Sequence, residues 1–220
     1  MSNEIVENQI KDALVLLAKY PEPGNVKTRL VGKGIDKKDA ANYQRIWLEK
    51  SLKVAASLPP EIDIYLRLAA ERDLGRMKDL VKDLDLSSRI RYMVPSADNI
   101  TDNLKGAFLE LFSMGYRKVI SRATDIAITT KKSLLEPFEV LENSDVVIGV
   151  DRFRRGINMF GLYNQSGFNE LVEELFSQDT KGMNPYKWTM RVIREHEPKL
   201  NYQLILGVLD IDTPADLKRL

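Results

Sequence analysis

The segment at positions 19–30, K-Y-P-E-P-G-N-V-K-T-R-L, gathers three cations, Lys19, Lys27 and Arg29, into one short stretch. An arginine grips phosphate oxygens with a planar fork, a lysine adds a compact charge, and free backbone N–H groups complete a cradle for an anion. Pro21 and Pro23 stiffen the segment, Gly24 lets the backbone turn or approach a ligand closely, and Thr28 contributes a hydroxyl. Such a loop binds phosphate or is a solvated basic turn, and composition alone leaves both readings open. It is not a Walker loop, because no G-x-x-x-x-G-K-[ST] occurs, and Gly32-x-Gly34 lacks the third glycine and the adjacent strand of a dinucleotide fingerprint.

Three further segments carry candidate chemistry. In R-A-T-D-I-A-I-T, positions 122–129, Asp125 follows an apolar run. A carboxylate at a strand end either takes Mg²⁺, a hard ion shared with substrate phosphates, or caps the next segment. In D-R-F-R-R-G-I-N-M-F, positions 151–160, Arg152, Arg154 and Arg155 suit a carboxylate or phosphate, Gly156 permits close approach, and Asn158 offers an amide; the same charges also suit a solvated hairpin loop. In L-D-I-D-T-P-A-D-L, positions 209–217, Asp210, Asp212 and Asp216 offer a second metal ligand or simply the acidic start of a helix.

The elements around these segments alternate. Residues 13–18, ALVLLA, form a continuous apolar run ended by a proline-glycine turn, the pattern of a strand buried on both faces. The spacing predicts a helix from the N-cap Asp36 to residue 58, a half-buried strand over 62–68, a helix over 71–84 and a strand over 89–94. A helix over 102–114 ending at Gly115, a strand over 118–123, a helix over 131–141 interrupted by Pro137 and a strand over 145–150 follow. A second strand over 156–163 then breaks the rhythm as an antiparallel addition, before helices near 168–176 and 185–195, a strand over 203–209 and a helix opening at Thr213-Pro214 that still runs at Leu220. The prediction is one α/β domain over 1–220 with a mainly parallel, doubly wound sheet. In such sheets ligands bind beyond the C-terminal ends of the strands, where the loops after residues 18, 123 and 150 must meet.

Composition narrows the functions. Lys plus Arg total 33 against 32 for Asp plus Glu, so no overall field draws nucleic acid or an anionic membrane, and any anion site is local. The absence of cysteine removes disulfides, thiolate nucleophiles and cysteine metal sites, and the one histidine, His196, sits in a charged stretch that reads as a helix end. No early apolar run is long enough to span a bilayer or act as a leader, so a cytoplasmic protein is expected.

The segment A-K-x-P-x-P-G-x-V-K-T-R-L resembles the opening motif of GT-A-like nucleotide-diphospho-sugar transferases, and is similar to the shorter opening of archaeal 2-phospho-lactate guanylyltransferases. The resemblance implies a GT-A fold and a loop, Lys19 to Leu30, that meets nucleotide phosphates. It implies that Asp125, matching the aspartate of G-S-D-x-P-x-L, meets the metal or nucleotide, although Arg122 replaces a small residue and Ala127 the usual proline. Positions 151–160 look more like the D-R-x-x-x-G-T-N-x-L stretch of the guanylyltransferases, with Asp151, Arg152, Gly156 and Asn158 matching. The ending resembles D-[IV]-D-T-P-E-D-L, which implies that Asp212 faces the metal.

Together these features predict an enzyme that binds a nucleoside triphosphate or nucleotide sugar with Mg²⁺ and transfers its nucleotidyl or glycosyl part to a small anionic acceptor. Lys19, Pro23, Gly24, Lys27, Thr28 and Arg29 would hold the nucleotide, with Lys27 and Asp125 at the chemistry. Asp125 and Asp212 would hold the metal, and Arg152, Arg155, Gly156 and Asn158 the acceptor. The alternative, motivated by Arg122, Ala127 and Arg155, is a non-catalytic nucleotide-binding or regulatory protein on the same fold.

Overall fold

The computed structural model describes residues 11–32, 34–95, 99–151, 156–165, 168–177, 179–196, 199–208, 211 and 213–218. The apolar run becomes the central strand β1 (Asp12–Ala18), flanked by parallel strands β2 (Ile62–Leu68) and β4 (Lys118–Ala123). Strand β3 (Ile90–Met93) closes one edge; β5 (Val146–Asp151), β6 (Ile157–Tyr163) and β7 (Tyr202–Val208) extend the other, in the order β3-β2-β1-β4-β6-β5-β7. Among these seven strands only β6 runs antiparallel. It is inserted between β4 and β5 and hydrogen-bonds both, so the expected addition lies inside the sheet.

Gly161 makes that insertion possible. A Cβ there would stand 2.6 Å from Val147 Cγ1 and closer still to Ile120 Cδ1 on the two flanking strands. Gly161→Ala is expected to lower unfolding free energy by about 1–3 kcal/mol through overpacking, read as a lower urea midpoint at unchanged slope.

Helices cover both faces. On one face α3 (Ile100–Ser113), α5 (Phe168–Leu175) and α6 (Pro185–Glu195) bury Phe108, Leu111, Val172 and Ile193 against Val15, Val119, Ile148 and Phe160. On the other, α1 (Lys37–Ala56), α2 (Leu74–Asp83) and α4 (Lys131–Val140) bury Leu48, Leu52, Met77 and Phe138 against Leu14, Leu16, Ile64 and Ile120. Asp36 caps α1 as expected, accepting from the Lys38 and Asp39 amides, while α3 starts earlier than its spacing suggested because Asn99 accepts from the Asp102 amide. The last helix, α7 (Pro214–Leu217), ends at Lys218 rather than running on.

The strand over 62–68 departs from its sequence pattern. Alternation predicted one wet face, yet every residue is buried. Its polar members are partnered beneath α3: Asp63 accepts from Tyr116 and pairs with Arg91 at 3.1 Å, and Arg67 donates to Asn103 at 3.1 Å. The wet face is lost to buried polar groups that find partners on other elements, with Arg67 Nε left over.

Candidate functional site

The loops after β1 and β4 meet at the C-terminal edge of the sheet, as the parallel pairing of the two strands requires. Lys27 joins them. Its side chain is only 4% exposed, its Nζ lies 2.8 Å from Asp125 Oδ2, and it donates to the Ile211 carbonyl at 3.0 Å. The ammonium also sits 5.4 Å from the Trp47 ring centroid, a cation–π distance. One lysine therefore ties the first loop, the end of β4 and the segment after β7 into one unit, over a small apolar cap of Leu30, Trp47, Ala127 and Ile211. The backbone bends to deliver it: Lys27 has φ 45°, a left-handed conformation costly for a residue with a Cβ, immediately before a 3-10 turn, Thr28–Leu30.

The preceding turn is pinned from the outside. Arg76 on α2 pairs with Glu22 at 3.0 Å, with Asp73, and stacks on Tyr20 at 4.2 Å. Hydrogen bonds from Arg76 and Asn25 hold the Glu22 carboxyl below the usual carboxylate range. Gly24, at φ 87°, supplies the reversal that lets Glu22 face α2 while Lys27 turns inward.

Two cavities open beside this unit and share Lys19 and Asn25. The larger, about 490 Å³, is floored by Leu17, Arg67 and Ala123 and reaches Asp125, Asn103 and Asp73. The smaller, about 210 Å³, is bordered by Lys27, Thr28, Arg29 and Gln44. Lys19 and Arg29 are exposed at these mouths, whereas Pro23 and Gly24 shape the turn and line neither cavity. Arg67 and Asn103 were not legible as site residues, although an arginine inside the strand IDIYLRL was a signal of a buried cation. Burial pushes the Arg67 guanidinium down from its usual range, opposed by Glu110 at 3.8 Å.

The other expected residues divide. Asp125 is 38% exposed at the larger cavity, with Oδ2 held by Lys27. A half-exposed carboxylate fits Mg²⁺, which uses one or two protein carboxylates and completes its shell with phosphates and water. Asp212, Asp210, Arg152, Arg154 and Arg155 lie outside the described residues, so the metal pair and most of the acceptor loop are not described. Among the described residues no three His, Cys, Asp or Glu side chains gather into a metal site. Asp216 is taken by the helix start, accepting from the Thr213 amide at 2.9 Å and hydroxyl at 2.8 Å. Gly156 accepts from the Asp151 amide at 3.2 Å, with open space where a Cβ would stand. Asn158 is buried on β6 rather than exposed on a loop. His196 ends α6 with Nδ1 2.9 Å from the Val192 carbonyl, a structural contact.

No protein-family model matches the chain, and no curated protein matches it in sequence. Solved structures do match over nearly its whole length. A protein from Desulfovibrio desulfuricans G20 assigned as a nucleotide-diphospho-sugar transferase is 23% identical, with a TM-score of 0.79 over 94% of this chain and 84% of its own. The 4-diphosphocytidyl-2C-methyl-D-erythritol synthase of Anaerococcus prevotii is 14% identical, with a TM-score of 0.63 over 96% of each chain. A cytidylyltransferase from Leptospira borgpetersenii is also 14% identical, with a TM-score of 0.56 over 94% of this chain and 84% of its own. At these identities the likeness establishes the fold: a nucleotide-diphospho-sugar transferase fold, with a mainly parallel seven-stranded sheet of which one strand is inserted antiparallel. Among the described residues, no helix is long and apolar enough to cross a membrane.

Proposed function

We propose that the chain binds a nucleoside triphosphate or a nucleotide sugar in the crevice between the loop after β1 and Asp125, and transfers its nucleotidyl or glycosyl part to a small anionic acceptor. The observation that carries this reading is the Lys27–Asp125 pair, which fixes a basic loop and a half-exposed carboxylate at one edge of a 490 Å³ cavity. Lys19 and Arg29, exposed at the mouths, neutralise phosphate charge. Lys27 acts by holding Asp125 and the loop in place, and Asp125 would hold Mg²⁺, whose charge offsets that building on the phosphates. In nucleotidyl transfer an acceptor oxygen displaces pyrophosphate at the α-phosphorus; in glycosyl transfer it displaces a nucleoside diphosphate at the anomeric carbon. Both depend on positioning and fixed charge, so a chain without cysteine loses nothing.

A second reading, a nucleotide-binding protein without turnover, is favoured by one observation: the buried lysine spends its charge on Asp125 rather than presenting it to a ligand. Thermal melting with each nucleoside triphosphate and nucleotide sugar, with and without Mg²⁺, separates the readings when release of pyrophosphate or nucleoside diphosphate is assayed alongside. A ligand at a hundred times its dissociation constant stabilises by about 2.7 kcal/mol. Stabilisation with product release supports the transferase, stabilisation without release supports the binder, and no stabilisation by any nucleotide rejects both.

A further inference from the structure

Strand β4 carries two buried cations on the face that packs against α4, and they are treated differently. Lys118 is 1% exposed, donates to the Phe138 carbonyl at 2.9 Å and pairs with Glu142. Arg122, four residues on and 2% exposed, has no such carboxylate among the described residues. Its Nη1 donates to the Ser133 carbonyl at 3.3 Å and touches Met159 Sδ at 3.9 Å, while Nε and Nη2 have no hydrogen-bond partner. Burial alone pushes this guanidinium down to about 10, and no neighbouring charge offsets the shift.

The neighbouring strand repeats the pattern. Arg122 stands opposite Met159 on β6, and Asn158, the next residue along, is 7% exposed with neither Oδ1 nor Nδ2 partnered. The β5–β6 register shifts at this point, and a Cβ on Gly149 would meet both Met159 Cβ at 2.7 Å and Asn158 Oδ1 at 2.9 Å. Both side chains therefore lean over the same face of the sheet, the face of Arg122. Among the described residues five buried side-chain atoms lack a hydrogen-bond partner, and four of them belong to Arg122 and Asn158. A buried guanidinium and amide left in this state are costly unless a ligand completes them.

We propose that Arg122 and Asn158 form an oxyanion subsite that takes the carboxylate or phosphate group of the acceptor. Nε and Nη2 are the side-on edge of the guanidinium, two parallel N–H donors matching two oxygens of one oxyanion. Asn158 Nδ2 adds a third donor, and its Oδ1 accepts from a neighbouring hydroxyl. The subsite lies at the same C-terminal edge as Asp125 but on the opposite face from Leu17, Arg67 and Ala123. Assigning the oxyanion to an acceptor rests on the transferase reading; its binding does not.

The test follows the thermal midpoint of wild type, Arg122→Met and Arg194→Ala, which removes an exposed cation of α6, in inorganic phosphate or acetate, against chloride at equal ionic strength. Wild type and Arg194→Ala are expected to rise saturably with at least one oxyanion, by about 5–10 °C at a hundred times its dissociation constant. Arg122→Met should lose most of that rise, any remainder in phosphate belonging to the loop of Lys19 and Arg29, and should melt in chloride at or above the wild-type midpoint, because an apolar side chain replaces an uncompensated buried charge. An undiminished rise in Arg122→Met, a rise lost in Arg194→Ala, no rise in wild type, or a fall of the Arg122→Met midpoint in chloride would each overturn the subsite. Phosphate alone active points to a phosphorylated acceptor, and acetate alone to a carboxylate. If wild type shows the Arg122-dependent rise yet binds no nucleotide in calorimetry, the transferase reading fails and the subsite stands.

Discussion

Asp125→Ala is expected to destabilise the protein by about 3–4 kcal/mol, and Lys27→Met by only about 2 kcal/mol, although the two substitutions break the same ion pair. The asymmetry comes from where each charge is left. Removing the carboxylate takes the partner at 2.8 Å from an ammonium that is 4% exposed and that also donates to the Ile211 carbonyl and faces the Trp47 ring. Removing the ammonium leaves a carboxylate that is 38% exposed and can hydrate, while methionine keeps the stem packed. Urea unfolding of both single variants and the double variant gives the coupling directly, with at least about 1 kcal/mol expected for groups in contact. Single-variant effects below about 0.5 kcal/mol with no coupling would show that the pair does not hold the two loops together, and would remove the main support for a shared site.

The strand and helix sequence was legible because its signals are local. An apolar run stopped by prolines can only be a strand buried on both faces, and Asp36 before a periodic segment fixes where α1 starts. The place of β6 was not legible. Residues 157–163 read as a strand following its neighbour, but whether it lies outside β5 or enters between β5 and β4 depends on the closeness that Gly161 allows against Ile120 and Val147, a contact spread over three distant segments. The wet face expected for 62–68 failed for a related reason: alternation reports the polarity of side chains and not whether partners wait for them, and Asp63 and Arg67 find theirs on other elements.

The site was legible as a place and less so as a set of roles. Counting cations in residues 19–30 located the crevice, yet it could not separate the exposed Lys19 and Arg29 from Lys27, which turns inward through a left-handed backbone to hold Asp125. Nothing in the triplet K-T-R marks that turn, since a positive φ is usually read from glycine or asparagine. Arg122 entered the sequence reading only as a departure from a small residue. Its burial without a counter-charge among the described residues emerges once β4 is packed against α4 and β6.

Replacing Arg29 by alanine is expected to weaken nucleotide binding about ten- to a hundredfold, the loss of a charge-assisted, bidentate contact of roughly 1.5 to 3 kcal/mol. The overall charge of +1 supplies no attraction of its own, so a local cation at the mouth of the smaller cavity must carry much of the phosphate affinity. Arg29 is exposed, unlike Lys27, and its loss leaves the ion pair that fixes the loop intact, so circular dichroism should show an unchanged fold. Arg29→Lys should recover only part of the affinity, because an ammonium keeps the charge and loses the planar fork. The measurement is calorimetric titration of the three proteins with the nucleotide that melting selects, at two ionic strengths. Higher salt should narrow the gap between wild type and Arg29→Ala, since an exposed contact is screened. Equal affinities in all three proteins would mean that Arg29 is a solvated arginine, and phosphate recognition would then have to rest on Lys19 and the backbone of the loop.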